Sequence, residues 1–213
     1  MASRTGDRFD LFAAGVGPRP VREQSQVSED AQFVLAARSG DRVAFGCLYD
    51  RYARMVHGVL LAKVPIGEVD DLVQDVFLLA LRRLSTLREI GSFGAWLAAI
   101  ARNRANDFHR RSLPEDQLAD ETSENDIEHP STSADHQSPA AAILDAIRAL
   151  PDAYRETLIL RLVEGMTGPE IAARTGLTHG SVRVDLHRGM QQLRANLRAN
   201  RSTHRPELET PQT

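Results

Sequence analysis

Between Thr167 and Met190 the chain places hydrogen-bond donors at the spacing of two short helices joined by a tight turn, TGPEIAARTGLTHGSVRVDLHRGM. His179, Ser181, Arg183, His187 and Arg188 fall on one side of the second helix, with Val184 beside them. Val182, Leu186, Met190, Leu193 and Leu197 recur on the other side as a core stripe. Imidazole, hydroxyl and guanidinium groups in such a row suit phosphate oxygens and base edges in a DNA major groove. A second set of donors, Arg102, Asn103, Arg104, Asn106, Arg110 and Arg111, follows the loop Gly91, Ser92, Phe93, Gly94. Small residues around one aromatic suit an unpaired base. Two amphipathic helices with a glycine turn also occur in all-α proteins that bind no nucleic acid, so the basic outer face is what distinguishes this pair.

Bond-making chemistry finds little support. The seven histidines, His57, His109, His129, His136, His179, His187 and His204, show no HExxH or similar ligand spacing. There is no glycine-rich phosphate loop, and the pair Asp70 and Asp71 lies at a helix start. No catalytic residue, metal or cofactor is expected. Cys47, the single cysteine, sits beside Phe45 and Leu48 and reads as a small buried hydrophobe, so no disulfide framework can form within the chain.

The elements that must hold the donors are written in local signals. Thr167 and Glu170 form a capping box with Pro169 in the first turn, and Gly176 supplies a left-handed helix end. Leu177 is expected to turn back to the core, and Thr178 to cap the recognition helix. Towards the N-terminus, Ser28 caps a short helix ended by Gly40. Asp41 caps a long one bearing Phe45, Leu48, Tyr49, Tyr52, Val56, Val59 and Leu60, and Pro65 and Gly67 break it. A third helix spans about Val69 to Leu87 and a fourth Phe93 to about Arg111, and the four form a small bundle. On the third helix, Leu72, Val73, Val76, Ala80 and Leu84 make a core face. Asp71, Gln74, Asp75, Leu78 and Arg82 make a separate stripe, either a solvated face or a docking surface for another protein. Trp96 lies within an apolar stripe of the fourth helix and suits the core better than a base.

Charge is distributed unevenly. The chain as a whole carries −3, but the segment 112–138 holds eight acids and no Lys or Arg, leaving +5 on the remainder. Lys63 is the sole lysine. His179 to Arg205 carries Arg183, Arg188, Arg194, Arg198, Arg201 and Arg205 against one acid, Asp185. Clustering of this kind is the electrostatic footprint of a nucleic-acid partner. The fold expected is all-α, with two small helical domains at 28–111 and 139–198. A flexible tail precedes them at 1–27, a disordered acidic linker joins them at 112–138, and a tail follows at 199–213. The apolar run Leu11 to Val16 is too short and too charged in its flanks for a secretory signal, and no stretch is long enough to span a bilayer. A cytoplasmic protein without membrane insertion is expected.

Taken in order, GEVDDLVQDVFLLALRRL, GSFGAWLAAIARNRANDFHRR, an acidic linker and LPDAYRETLILRLVEGMTGPEIAARTGLTHGSVRVDLHRGMQQLR resemble a bacterial sigma factor of the extracytoplasmic-function group, over about Ser28 to Leu197. The resemblance implies a region 2 domain at 28–111 and a region 4 domain at 139–198, with core RNA polymerase and promoter DNA as partners. It implies that Asp71, Leu72, Gln74, Asp75, Phe77 and Leu78 dock on the polymerase. It implies that Ser92, Phe93, Arg102, Asn103, Asn106, Arg110 and Arg111 hold the opened minus-ten strand. His179, Ser181, Arg183, Val184, His187 and Arg188 would read the minus-thirty-five duplex, and an anti-sigma factor would regulate the chain. The sequence departs from the family pattern at Ala99, where an arginine is frequent, and at Val184 and Asp185, where basic or polar residues are frequent. Asp185 repels phosphate unless it accepts from a cytosine amine or pairs with Arg188. A polymerase-independent helix-turn-helix regulator is the other reading; it would bind duplex DNA alone, and it leaves the third-helix stripe and the loop before Arg111 unexplained.

Overall fold

The computed structural model of the chain describes residues 21–112 and 139–203. Residues 1–20 of the tail expected at 1–27, residues 113–138 of the linker expected at 112–138 and residues 204–213 of the tail expected at 199–213 lie outside the described residues. Within the described residues there are eight α-helices and no strand. They are α1 Val21–Arg38, α2 Arg42–Leu61, α3 Ile66–Arg83, α4 Phe93–Ser112, α5 Pro139–Arg148, α6 Asp152–Leu162, α7 Gly168–Thr175 and α8 His179–Thr203, with 3-10 turns at Leu84–Thr86 and Ile90–Ser92. No helix among them is long and apolar enough to cross a membrane.

The first four helices bundle around Leu48, Met55, Val59, Leu60, Val76 and Leu97, none of which reaches solvent. Asp41 caps α2 by accepting from the Val43 and Ala44 amides at 2.8 and 3.1 Å. α1 is tied to α2 by polar contacts: Asp30 accepts from the Tyr52 hydroxyl at 2.6 Å and from Arg51 at 2.7 Å. Burial first, and the Asp30 carboxylate second, push the Tyr52 phenol far above its ordinary range, so it stays a donor.

Several boundaries differ from expectation. α1 starts at Val21, inside the expected tail, because Arg22, Glu23, Gln24 and Gln26 are good helix formers that extend the run upstream of Ser28. α3 starts at Ile66 behind Pro65, so Gly67 lies in its first turn, where an amide needs no intrahelical partner. Leu177 is 36% exposed; the core positions it was expected to share are filled by Ile171 and Val182. Cys47 is only partly buried.

The arrangement of the two halves was not anticipated. The end of α2 presents four successive carbonyls that lie past the helix's own donors, and each accepts from a side chain. Arg148 of α5 donates to Leu61 O at 3.1 Å and Val64 O at 3.0 Å, Arg155 of α6 to Ala62 O at 3.4 Å, and His109 of α4 to Lys63 O at 2.7 Å, which requires its Nε2 to carry hydrogen. Cations at a helix C-terminus also meet the negative end of its dipole. Arg155 is itself buried and is satisfied by Leu150 O at 2.9 Å and Asp152 at 3.1 Å. Farther along α2, His57 meets Glu164 at 2.6 Å, with Arg54 at 3.9 Å from the same carboxylate. Between α4 and α7, Gly176 takes the left-handed conformation at φ +78°, and a Cβ there would lie 2.6 Å from the Ala95 Cβ.

Two outcomes follow. Gly176→Ala is expected to lower stability by about 1–2 kcal/mol through its left-handed backbone alone, with the Ala95 clash adding to it, as read by the midpoint of urea unfolding. The hydrogen bond to Glu164 is the main cause that raises the His57 pKa, with the charges of Glu164 and Asp70 acting in the same sense against desolvation. A raised folded-state pKa stabilises the fold fully below about pH 6.5 and loses that contribution as pH rises through the raised value. Thermal melting from pH 5 to pH 9 should therefore show a fall in Tm that is smaller in His57→Ala; an identical fall in both proteins would contradict this.

Candidate nucleic-acid interface

The local chemistry of the helix-turn-helix sets its geometry. The Thr167 hydroxyl accepts from the Glu170 amide at 3.4 Å, and Glu170 accepts from the Thr167 amide at 2.7 Å, so both orphan donors are satisfied. Those Thr167 hydrogen bonds hold the Glu170 carboxyl below its usual range. Thr178 caps α8 by accepting from the Ser181 amide at 3.1 Å. Val182 and Leu193 are buried, and Leu186, Met190 and Leu197 are partly buried against the same core. The core stripe is thus where the spacing put it.

The opposite face of α8 is turned to solvent. His179, Ser181, Arg183, Val184, His187 and Arg188 are all exposed. Arg183 and His187, and Val184 and Arg188, are each one turn apart, so two guanidiniums and an imidazole project over two turns. The Ser181 hydroxyl is engaged with Thr178 at 2.9 Å, and His187 meets Gln191 at 3.1 Å, so both are oriented by neighbours. Val184 is 42% exposed and can contact a thymine methyl. Asp185 is partly buried at the edge of this face. Burial raises its pKa and the charge of Arg188 opposes the rise, so the carboxylate is flanked by a cation rather than aimed alone at phosphate.

On α4, Trp96, Ala99, Asn103, Asn106 and Arg110 lie at successive three- and four-residue steps and form one stripe. Its last four members are exposed and Trp96 is half-buried, its ring 5.8 Å from Phe93. Ser92 and Arg111 are exposed at the two ends. Arg110 is held by Asp107 one turn back. Phe93 does not belong to this surface. It is 1% exposed, packed edge-on to Tyr52 with ring centres 5.2 Å apart, because the Ile90–Ser92 turn directs it inward as the anchor of α4. Arg102 also leaves the stripe: its Nη2 and Nε donate to the two carboxylate oxygens of Glu156 at 2.7 and 3.0 Å, which raises its pKa. Of the two aromatics at the start of α4, Trp96 is thus the one that reaches solvent. The heptad step from Trp96 to Asn103 places the tryptophan on the same face as the asparagines.

On α3, Asp71, Gln74 and Leu78 are exposed, and Leu78 and Leu81 are each about half exposed at 53% and 46%. Asp75 is ion-paired to Arg104, which locks the stripe to α4. Leu72 and Phe77, expected with the docking group, are 8% and 4% exposed. They support the stripe from beneath, Phe77 within ring contact of Phe45 and Tyr49, since a one-sided helix must spend these positions on the core. Among the described residues, no group of three or more His, Cys, Asp or Glu side chains could hold a metal ion.

Residues 48–113 match the family described as Sigma-70 region 2, and residues 140–193 match Sigma-70, region 4. The ECF RNA polymerase sigma factor BldN of Streptomyces coelicolor is 33% identical over 167 residues, 76% of this chain and 63% of BldN. The RNA polymerase sigma factor CarQ of Myxococcus xanthus is 35% identical over 161 residues, 74% of this chain and 91% of CarQ. The solved structure of CnrH in complex with the cytosolic domain of CnrY superposes with a TM-score of 0.54 and 26% identity, covering 80% of this chain and 98% of that one.

Removing the cap should show how far the helix-turn-helix depends on it. Thr167→Ala is expected to cost about 1 kcal/mol, within the usual 0.5–2 for a cap, as a lower urea midpoint with an unchanged m-value. A change below about 0.3 kcal/mol would contradict the role given to the box.

Proposed function

We infer, for a chain that belongs to the extracytoplasmic-function group of the sigma-70 family, how its own residues divide the work of a sigma factor. The chain is a transcription initiation factor that joins core RNA polymerase and directs it to promoters. The domain at 28–111 serves as region 2 and that at 139–198 as region 4. Asp71, Gln74, Asp75 and Leu78 form the polymerase-docking surface, a half-apolar stripe whose leucines would be covered in the complex. Leu72 and Phe77 act there as support.

Ser92, Asn103, Asn106, Arg110 and Arg111, with Trp96, take the opened strand at the minus-ten element. Stacking and charge offset the cost of unpairing there. Arg102 joins them when Glu156 releases it. His179, Ser181, Arg183, Val184, His187 and Arg188 read the minus-thirty-five element as duplex, through one helix in the major groove. The observation that carries this reading is the pair of exposed donor rows, one on α4 and one on α8, in two domains of one chain. CnrH is solved in complex with the cytosolic domain of CnrY, and a protein partner that restrains this chain, an anti-sigma factor, is part of this reading. We place its action in the cytoplasm, with the polymerase.

Transcripts started on genomic fragments by core polymerase with the purified chain should share two upstream motifs; duplex binding with no polymerase association would overturn the reading. In that assay, Arg183→Ala with Arg188→Ala should lose about 1–3 kcal/mol of discrimination per base contact at the upstream motif, leaving the downstream motif intact. Unchanged discrimination would remove these arginines from the reading head.

A further inference from the structure

The groups that join the two domains include one the DNA-handling surface needs. Arg102 sits on α4 beside the Asn103 and Asn106 stripe, yet its guanidinium is closed by both oxygens of Glu156 from α6. A fork-to-fork arginine–carboxylate pair has the same geometry as an arginine–phosphate pair. Close by, the turn that ends α7 presses on the start of α4: a Cβ on Gly94 would lie 2.6 Å from the Arg174 carbonyl oxygen, and Gly176 abuts Ala95. Arg174 in turn donates to the Arg51 carbonyl at 2.7 Å. The head of the strand-holding helix is thus in backbone contact with the reading domain. Glu164 closes the same interface through His57 and Arg54.

Elements named for minus ten and minus thirty-five lie roughly 25 base pairs, or about 80 Å of duplex, apart. A closed body of some 160 residues has a radius of gyration of roughly 15 Å. The packed arrangement cannot place its two donor rows on both elements at once.

We propose that Glu156 is an autoinhibitory residue, its carboxylate standing at Arg102 where a DNA phosphate would bind, and that with Glu164 it latches the two domains in a closed form that must open before promoter engagement. The proposal rests on the assignment of α4 to single-stranded DNA. Its structural half, the latch, is measurable without DNA or polymerase.

The test uses the full chain with Cys47→Ala and nitroxide labels on Arg42→Cys and Gln192→Cys, both exposed positions away from the interface. Pulsed electron paramagnetic resonance should give one narrow, short distance distribution. Glu156→Gln with Glu164→Gln should add a broad, longer component while the far-ultraviolet dichroism stays unchanged. In parallel, fluorescein-labelled dT20 should bind Glu156→Gln about tenfold tighter than the parent chain, the effect of freeing one charged contact. Adding Arg102→Ala to Glu156→Gln should abolish the gain. A distribution that is already long and broad in the parent, or one the double variant leaves unchanged, overturns the latch. Equal dT20 affinity of parent and Glu156→Gln overturns the phosphate-mimic role. Failure of both parent and variant to join core polymerase would instead count against the sigma-factor assignment and leave the distance result standing.

Discussion

Four carbonyls at the end of α2, those of Leu61, Ala62, Lys63 and Val64, organise this molecule. A helix end leaves its last acceptors without partners, and a buried carbonyl without a donor costs about as much as a lost hydrogen bond. Here the donors come from α4, α5 and α6, so satisfying one helix end requires both domains in place. The acceptors are backbone and the donors mostly arginine, whose planar fork can serve two carbonyls at once, as Arg148 does. Burial lowers the Arg148 pKa while Asp145 opposes it, a sign that this cation has traded water for those carbonyls.

What surrounds that joint is part polar and part apolar. The interface is held by Glu156, Glu164, Asp152 and their cationic partners, and by backbone contacts at small residues. Its groups are ones that water and phosphate can also satisfy. Beneath these contacts the buried residues of both halves, Leu48, Met55 and Val76 in one and Ile147, Ile159 and Ile171 in the other, belong to one apolar cluster, and the Leu160 side chain of α6 lies against Gly58 of α2. The α3 stripe, with Asp71, Gln74 and Leu78 in solvent, stays open in the same arrangement, so docking on a partner does not require the joint to part first.

The legibility of these features in the sequence followed their range. Capping and turn chemistry is local, so Asp41, Thr167, Glu170, Gly176 and Thr178 could be read directly and stand in the roles expected of them. Helical periodicity separated the faces of α3 and α8 correctly. The family resemblance, by contrast, does not tell a contact residue from one that supports it out of the core. Phe93 opens a helix and is pulled inward by Tyr52, while Leu72 and Phe77 look like part of a contact motif but occupy core positions. The partners of Arg102, Arg148 and His57 lie 54, 87 and 107 residues away, and no local pattern announces them. An arginine that serves a carbonyl or carboxylate within the chain carries the same local signature as one that serves DNA.

The central claim is that two rows of donors on one chain engage two promoter elements together, and only with polymerase. Hydroxyl-radical footprinting with permanganate probing, on a promoter that the holoenzyme transcribes, measures this most directly. The expected result is two protected segments separated by unprotected duplex, with reactive, unstacked thymines confined to the downstream one and no pattern from the free chain. A single protected duplex site, the same with and without polymerase and without reactive thymines, would contradict it.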